Sequence, residues 1–530
     1  MNRQQAAEKA LHDQTNILPK RQLLVVFAGL AISLLIAFVD QNGISVTLPT
    51  VAADLNAENT ISWAGTSSLI ANTMFTVLYG RLSDIFGRKI VYLSALALLS
   101  LADLLCGLSV NAPMFYFFRG LAGVAGGGIT SLTMIIVSDI VTLEQRGKYQ
   151  GILGAALGLG NVIGAFVAAA FTMRSTWRGF FWLLSPLSAC CVAVGYFLIP
   201  NNHRKDGFRE SLRRIDGYGI VASSIGIIFL LIPISGGGSY FDWDSPMVIS
   251  MLVIGGLCLV AFVVIEWKVA MLPMLPVVFF KNKVLCALFL QSFLLGAVFQ
   301  SYLYYLPLYY QNARGWSPIV SAALISPMVG CQSIASISSG QYISRTKRYG
   351  EVIWIGFGLW TLAAGLTLLF NLHTHPATIA VIVGIAGVGI GGTLQPTMVA
   401  FQAHCTKAHR AVVISDRNFF RCLGGACGLA VSAALLQATL RSSLPEGYKH
   451  LARSSYSTPE RAQTSDADWV RILDAFAKAS RRLERPKDAS EIEEERRARE
   501  ADEGVKAQVD VESGVNEPKR AIQRDQEKTS

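Results

Sequence analysis

Thirteen stretches of this chain are apolar for long enough to cross a lipid bilayer, and that feature excludes most of the ways a chain can fold. They lie near 23–48, 63–80, 90–109, 113–138, 151–171, 180–199, 217–236, 247–265, 284–310, 317–340, 351–370, 377–402 and 418–438. A spanning helix needs about 20 mainly apolar residues, because the hydrocarbon layer is about 30 Å thick and offers backbone groups no partners. Continuous runs exclude a membrane barrel, whose strands would alternate. Composition agrees: only 15% of the 530 residues are charged, against about 25% in soluble domains. The expected fold class is an all-α polytopic membrane protein in a lipid bilayer.

Loop charges orient the helices. With residues 1–22 in the cytosol, the connections at 81–89, 139–150, 201–216, 266–283, 341–350 and 403–417 hold 19 Lys and Arg residues. The opposite connections hold three: Arg174, Arg178 and Arg314. This is the positive-inside pattern. It also accounts for the net charge of +10 without a nucleic-acid partner, since the cations sit in short loops and form no binding stripe. Lys20 and Arg21 precede a run too long for a signal-peptide core, so that run is expected to remain as the first helix.

Enzyme chemistry finds no support. The seven histidines are scattered through loops and flanks, and His373 and His375 have no carboxylate or cysteine partners in sequence to make a metal site. GVAGGG (123–128) and GVGIGG (387–392) lack the strand–turn–helix context and the Lys-Ser/Thr of a phosphate loop. The nine cysteines show no CxxC pair and read as free thiols. No catalytic residue, metal or cofactor is expected.

The chain echoes itself. YGRLSDIFGRKIVYL (79–93) closes the second helix, and SGQYISRTKRYGEVI (339–353) closes the tenth. The glycine runs of the fourth and twelfth helices repeat at the same offset of eight helices. Two six-helix halves separated by two extra helices would produce this offset, and such symmetry is typical of secondary transporters. The expected divisions are 23–200 for the first bundle, 201–283 for a charged loop with two extra helices, and 284–440 for a second bundle of five detected helices. Residues 441–530 form a polar tail holding the amphipathic WVRILDAFAKA (469–479) and the charge run EIEEERRARE (491–500).

Two charges lie deep in apolar runs: Asp40 in the first helix and Arg119 in the fourth. Intramembrane ionisable residues are costly and mark transport or proton pathways, so these two are the candidates for proton coupling. Asp40 would take up and release the proton, and Arg119 would favour its charged form. Asp103, near the outer end of the third helix, is expected to be solvated at the interface. In the fifth helix, Gly154/Gly158 and Gly160/Gly164 have GxxxG spacing, which lets a neighbouring helix approach closely. Asn42, Asn161, Gln291, Gln300, Tyr304, Tyr305, Gln332 and Gln395 are candidates to line a cavity for a bulky amphipathic cargo. No cluster of cavity cations for a strongly anionic cargo is evident.

In YGRLSDIFGRK (79–89), Gly80 and Gly87 permit a tight turn, and Asp84 and Arg88 can pair. The ordered string G-R-L-S-D-x-x-G-R-K resembles the G-x-L-a-D-r-x-G-r-k signature of the major facilitator superfamily. FVDQNGISVTLP (38–49), FRGLAGVAGGG (118–128), WRGFFWLLSP (177–186), MLPMLPVVFFKNK (271–283) and YLPLYYQNARGWSP (305–318) resemble landmarks of its fourteen-helix drug:proton antiporter branch, which includes fungal multidrug and toxin efflux carriers. Departures include Ala122 for a usual glutamine, Leu184 for an asparagine, and Ala165 for the proline of the helix-5 signature, in which Gly160 and Gly164 are kept.

The resemblance implies a monomeric plasma-membrane exporter that couples outward movement of a small amphipathic molecule to inward proton flow. A vacuolar membrane is the alternative location. Gly80, Arg81, Asp84, Gly87, Arg88 and Lys89 would form a gating loop, and Gly160 and Gly164 the antiporter seam. A siderophore or vacuolar basic amino-acid transporter is the alternative cargo reading, and a non-transporting sensor the alternative of another class. The branch normally has a fourteenth helix, which this chain lacks. Either it was lost, leaving about thirteen spans and an external tail, or the reading frame omits a segment; the second is expected.

Overall fold

The computed structural model describes residues 18–199 and 216–445, apart from 58–59, 62, 143, 237–240, 242, 372 and 407–408, together with 448, 471–473 and 475–476. Thirteen long helices follow one another: α1 (Lys20–Asp54), α2 (Trp63–Phe86), α3 (Arg88–Gly107), α4 (Ala112–Ile140), α5 (Arg146–Arg174), α6 (Trp177–Leu198), α7 (Gly217–Gly236), α8 (Pro246–Lys268), α9 (Lys283–Leu308), α10 (Pro318–Thr346), α11 (Tyr349–Thr367), α12 (Pro376–Ala403) and α13 (Arg410–Ser443). Among the described residues, twelve are long and apolar enough to span a membrane. The exception, α2, turns Ser68, Asn72, Thr73 and Thr76 inward, and those polar groups lower its hydropathy without exposing it to lipid.

The helices match the apolar runs closely but extend further at the basic loops, where backbone hydrogen bonding continues into water. The largest extension is α13, which starts at Arg410 and not near 418. Arg410 and Arg417, read above as loop cations, are therefore helical and buried. Caps set several boundaries. Asn111, Ser245 and Ser317 accept from the backbone N–H three residues on, each with proline in the first turn. Gly87 separates α2 from α3 at φ +95°, a left-handed conformation that disfavours a side chain. Gly80 makes no turn. It lies within α2, where an added methyl carbon would meet Ser415 Oγ at 2.7 Å.

Helices α1–α6 form one bundle: α1 packs on α5 and α6, α2 on α4, and α3 on α4 and α6. In the second bundle α9 pairs with α13, while α12 takes α10 and α11. The extra helices α7 and α8 pack on each other, and α7 lies against α2 and α13. The bundles meet through α5 with α10 and α2 with α13. Of the amphipathic 469–479 segment, the described residues are helical and bury Ile472, Ala475 and Phe476. The rest of that segment, the charge run at 491–500 and the loop 201–215 lie outside the described residues.

Helix α5 is small-sided on two faces. Gly160 and Gly164 lie against Leu35, Phe38 and Val39 of α1, inside the first bundle. Gly147, Gly151, Gly154 and Gly158 face Gly340, Ser336, Ser333 and Val329 of α10, across the bundle boundary. Ser336 Oγ donates to the Gly151 carbonyl at 2.9 Å. The GxxxG spacings thus mark an internal seam and a boundary seam, and the retained Gly160/Gly164 pair belongs to the internal one.

Candidate functional site

At the basic face a chain of charges links the two bundles. Arg81 donates from Nε to the Pro273 carbonyl and lies 3.8 Å from Asp84. Asp84 pairs with Arg88 at 2.7 Å. Arg88 Nε reaches Asp139 of α4 at 3.1 Å, and Arg410 of α13 approaches the other Asp139 oxygen at 3.5 Å. Arg410 also donates to the Ser138 carbonyl. Gly80, Arg81, Asp84, Gly87 and Arg88 lie together at this face. Lys89 is not part of the chain; it stands over the Tyr196 ring at 5.0 Å.

Asp139 and Arg410 were not singled out from sequence, because each lies in a basic-face connection and reads as an ordinary topological charge. The echo segment supplies a second contact. Lys347 pairs with Glu144 at 2.7 Å, and Ser344 donates to the Glu144 carbonyl. The Lys347 hydrogen bond and its charge hold the Glu144 carboxyl below its ordinary range. Further hydrogen bonds across the boundary run from Ser333 to the Ala155 carbonyl, from Asn418 to Ser131 and from Cys422 to Asn72.

Inside the first bundle, Arg119 Nη1 donates to Asp40 Oδ1 at 2.6 Å, with both side chains at most 5% exposed. The guanidinium carbon also lies 5.8 Å from the Phe181 ring centre. The expected pair is present, and it has a third member. Asp103 is fully buried, with both carboxylate oxygens unpartnered among the described residues, in the field of Asp40 and Arg119. Interfacial solvation of Asp103 is therefore incorrect. The signal was available: Tyr92, Ala95, Leu96, Leu99, Ala102, Asp103 and Cys106 form the buried stripe of α3 at helical spacing.

The candidate cavity residues have separate local neighbours. Asn42 donates to Asn161 Oδ1 at 2.5 Å between α1 and α5, and Asn161 Nδ2 is left without a partner among the described residues. Tyr305 donates to the Leu429 carbonyl within the second bundle, with Tyr304 edge-on to it at 5.0 Å. Gln300 packs beside Gly425, and Gln291 is half-buried. Gln332 and Gln395 are 1% and 2% exposed, and their amide atoms have no hydrogen-bond partner. Gln395 lies against Gly154 at the boundary seam.

Arg417 is 2% exposed on α13, where it donates to the Leu394 carbonyl and to Asn418 Oδ1, and Arg421 follows one turn later.

Comparison with known proteins agrees with this architecture. Residues 30–215 and 208–429 match the family model described as Major Facilitator Superfamily. The chain is 48% identical to "Citrate exporter 1" of Yarrowia lipolytica, over 89% of this chain and 71% of that protein. It is 44% identical to "MFS-type transporter clz4" of Cochliobolus lunatus, over 84% and 81%. To "Efflux pump dotC" of Dothistroma septosporum it is 31% identical, over 80% and 73%. Among solved structures, the proton:xylose symporter XylE shares the fold with TM-score 0.56 at 12% identity, over 87% of this chain and 95% of that one.

Proposed function

The chain belongs to the major facilitator superfamily and is a multi-pass membrane transporter, and on that premise we propose that it is a proton-coupled exporter working by alternating access. The carrying observation is the buried cluster of Asp40, Asp103 and Arg119. Two carboxyls and one guanidinium, shut away from water, balance in charge when the carboxyls share one proton. Like-charged carboxylates at close quarters titrate as a pair. Such a group can be loaded on one side of the membrane and emptied on the other.

The charge chain at the basic face supports the second half of the reading. It closes that face through contacts between bundles, and rocking the bundles apart along the α5/α10 seam would break Arg410–Asp139 and Lys347–Glu144 together. A protonmotive force supplies about 2.3 kcal/mol per charge for each 100 mV. We place the protein in the plasma membrane as a monomer, exporting a small molecule, in line with the relatives named citrate exporter and efflux pump.

The test is transport in proteoliposomes under an imposed pH gradient, with labelled citrate and rhodamine 6G as trial cargoes. At least one should move uphill in a gradient-dependent way, and Asp40→Asn should abolish that movement. Undiminished coupling in Asp40→Asn, or no gradient-dependent movement of either cargo, would overturn the proposal.

A further inference from the structure

Arg417 differs from the other paired arginines in what surrounds it. Arg81, Arg88, Arg119 and Arg410 each have a carboxylate within 3.8 Å. Among the described residues Arg417 has none: Nη2 donates to the Leu394 carbonyl, Nη1 to the Asn418 amide oxygen, and Nε has no partner. Its nearest charged neighbour is Arg421, one helical turn along, and like charges at this spacing repel. Asp416 is adjacent in sequence but projects elsewhere on the helix, into the field of Arg81. A guanidinium 2% exposed thus lies beside a second cation with no anion to balance it. Burial without a counter-charge is the costly arrangement.

Its position suggests what supplies the anion. Arg417 lies seven residues into α13, about 10 Å inward from the basic face. Its neighbour Asn418 donates to Ser131 of α4, and Cys422 reaches Asn72 of α2, so this part of α13 lies where the bundles meet. A guanidinium with a free Nε–H can hold a carboxylate strongly, and charge-assisted hydrogen bonds are about twice as strong as neutral ones.

We propose that Arg417, assisted by Arg421, binds a carboxylate of the cargo, which makes the cargo a small organic acid anion. This rests on the transporter reading but does not depend on how transport is driven. The anion supplies the charge that the two arginines lack and lifts their mutual repulsion. The carrier would then favour anionic acids over their neutral esters.

The test is equilibrium binding of labelled citrate to the purified full chain in detergent, with no gradient present, so that it is independent of proton coupling. Citrate should bind, succinate should displace it, and the uncharged triethyl citrate should not. Arg417→Gln should weaken binding by at least about 30-fold, a loss fitting removal of a charge-assisted pair. Arg417→Lys should weaken it less, and Arg421→Gln by about 3- to 10-fold. If Arg417→Gln does not fold, Arg417→Lys and Arg421→Gln carry the test. The proposal is overturned if neither citrate nor succinate binds, or if triethyl citrate competes equally. It is also overturned if the arginine variants lose thermal stability yet keep wild-type affinity, the result expected of a guanidinium that only staples α13 to α12.

Discussion

Arg410 of α13 stands 3.5 Å from Asp139 of α4, and this contact joins the second bundle to the run of ion pairs Arg81–Asp84–Arg88–Asp139 in the first. Asp139 is shared, because Arg88 takes its other oxygen at 3.1 Å. Loosening either arginine therefore changes the field felt by the other. Through this carboxylate Arg88 of the signature loop is coupled to Arg410 of α13.

Removal of that carboxylate should open the basic face. Asp139→Asn weakens two pairs, and a loss of about 1.4 kcal/mol moves the closed-to-open ratio tenfold. Cys405 reports the change, because burial pushes its thiol up to about 11 against the pull of Arg410 and Arg146. At pH 7.5 fewer than about one such thiol in a thousand is ionised. N-ethylmaleimide labelling of the Cys405 peptide, followed by mass spectrometry, should be slow in the wild type and at least about fivefold faster in Asp139→Asn. Equal rates would count against the gate.

Alanine at the two glycine seams should give different defects. A methyl carbon on Gly340 would sit 2.3 Å from the Gly147 carbonyl oxygen, at the boundary between bundles. Gly340→Ala should fold and retain its melting temperature but transport at less than about a tenth of the wild-type rate. On Gly164 the same group meets the Val39 carbonyl at 2.6 Å, inside the first bundle. Overpacking a well-packed core costs about 1–3 kcal/mol, so Gly164→Ala should lower yield and melting temperature. Size-exclusion profiles and transport assays on both variants separate these outcomes.

Arg119 should tolerate the loss of one carboxylate but not two. Asp40→Asn and Asp103→Asn each leave it a neighbour of opposite charge, so both single variants should fold. The double variant strands a fully buried guanidinium, and breaking a buried pair in this way costs about 3–5 kcal/mol. The double-mutant cycle should be non-additive in melting temperature by several degrees. Additive losses would show that Asp103 does not share the charge.

Asp54 should stabilise the opposite face in a pH-dependent way. Hydrogen bonds from Arg178 and the Trp177 indole hold its carboxyl below the ordinary value of 3.8. A folded-state value lying below the unfolded one gives stability that is complete above about pH 4 and lost as pH falls through the folded value. The partners are partly exposed, so the effect should stay under about 1 kcal/mol. The melting-temperature difference between wild type and Asp54→Asn should be constant from pH 8 to 5 and shrink below 4.

The fold was largely legible because lipid imposes one rule on every segment: all thirteen helices coincide with the apolar runs to within a few turns. The site was legible where a charge stood alone in such a run, as Asp40 and Arg119 do, and where the loop string 79–89 spaced Asp84 and Arg88 to pair. Asp103 was misplaced because its depth was judged by distance from the helix end, although its stripe on α3 showed the buried face. Arg417 was hidden differently. The apolar run near 418–438 marks only part of its helix, and α13 begins eight residues before it. Asn42 and Asn161 illustrate the converse limit, since sequence shows that two amides are buried but not that they bind each other.

The closed charge chain also responds unequally to dissolved ions. Asp84, Asp139 and Arg410 have side chains no more than 9% exposed while the bundles meet, so counter-ions hardly enter and screening leaves the closed form almost untouched. Once the bundles part, the same groups face water with a screening length of about 8 Å at physiological ionic strength. Salt then stabilises only the separated charges. Rising ionic strength on the basic side should hold the carrier open longer and slow its return, without loosening it when shut.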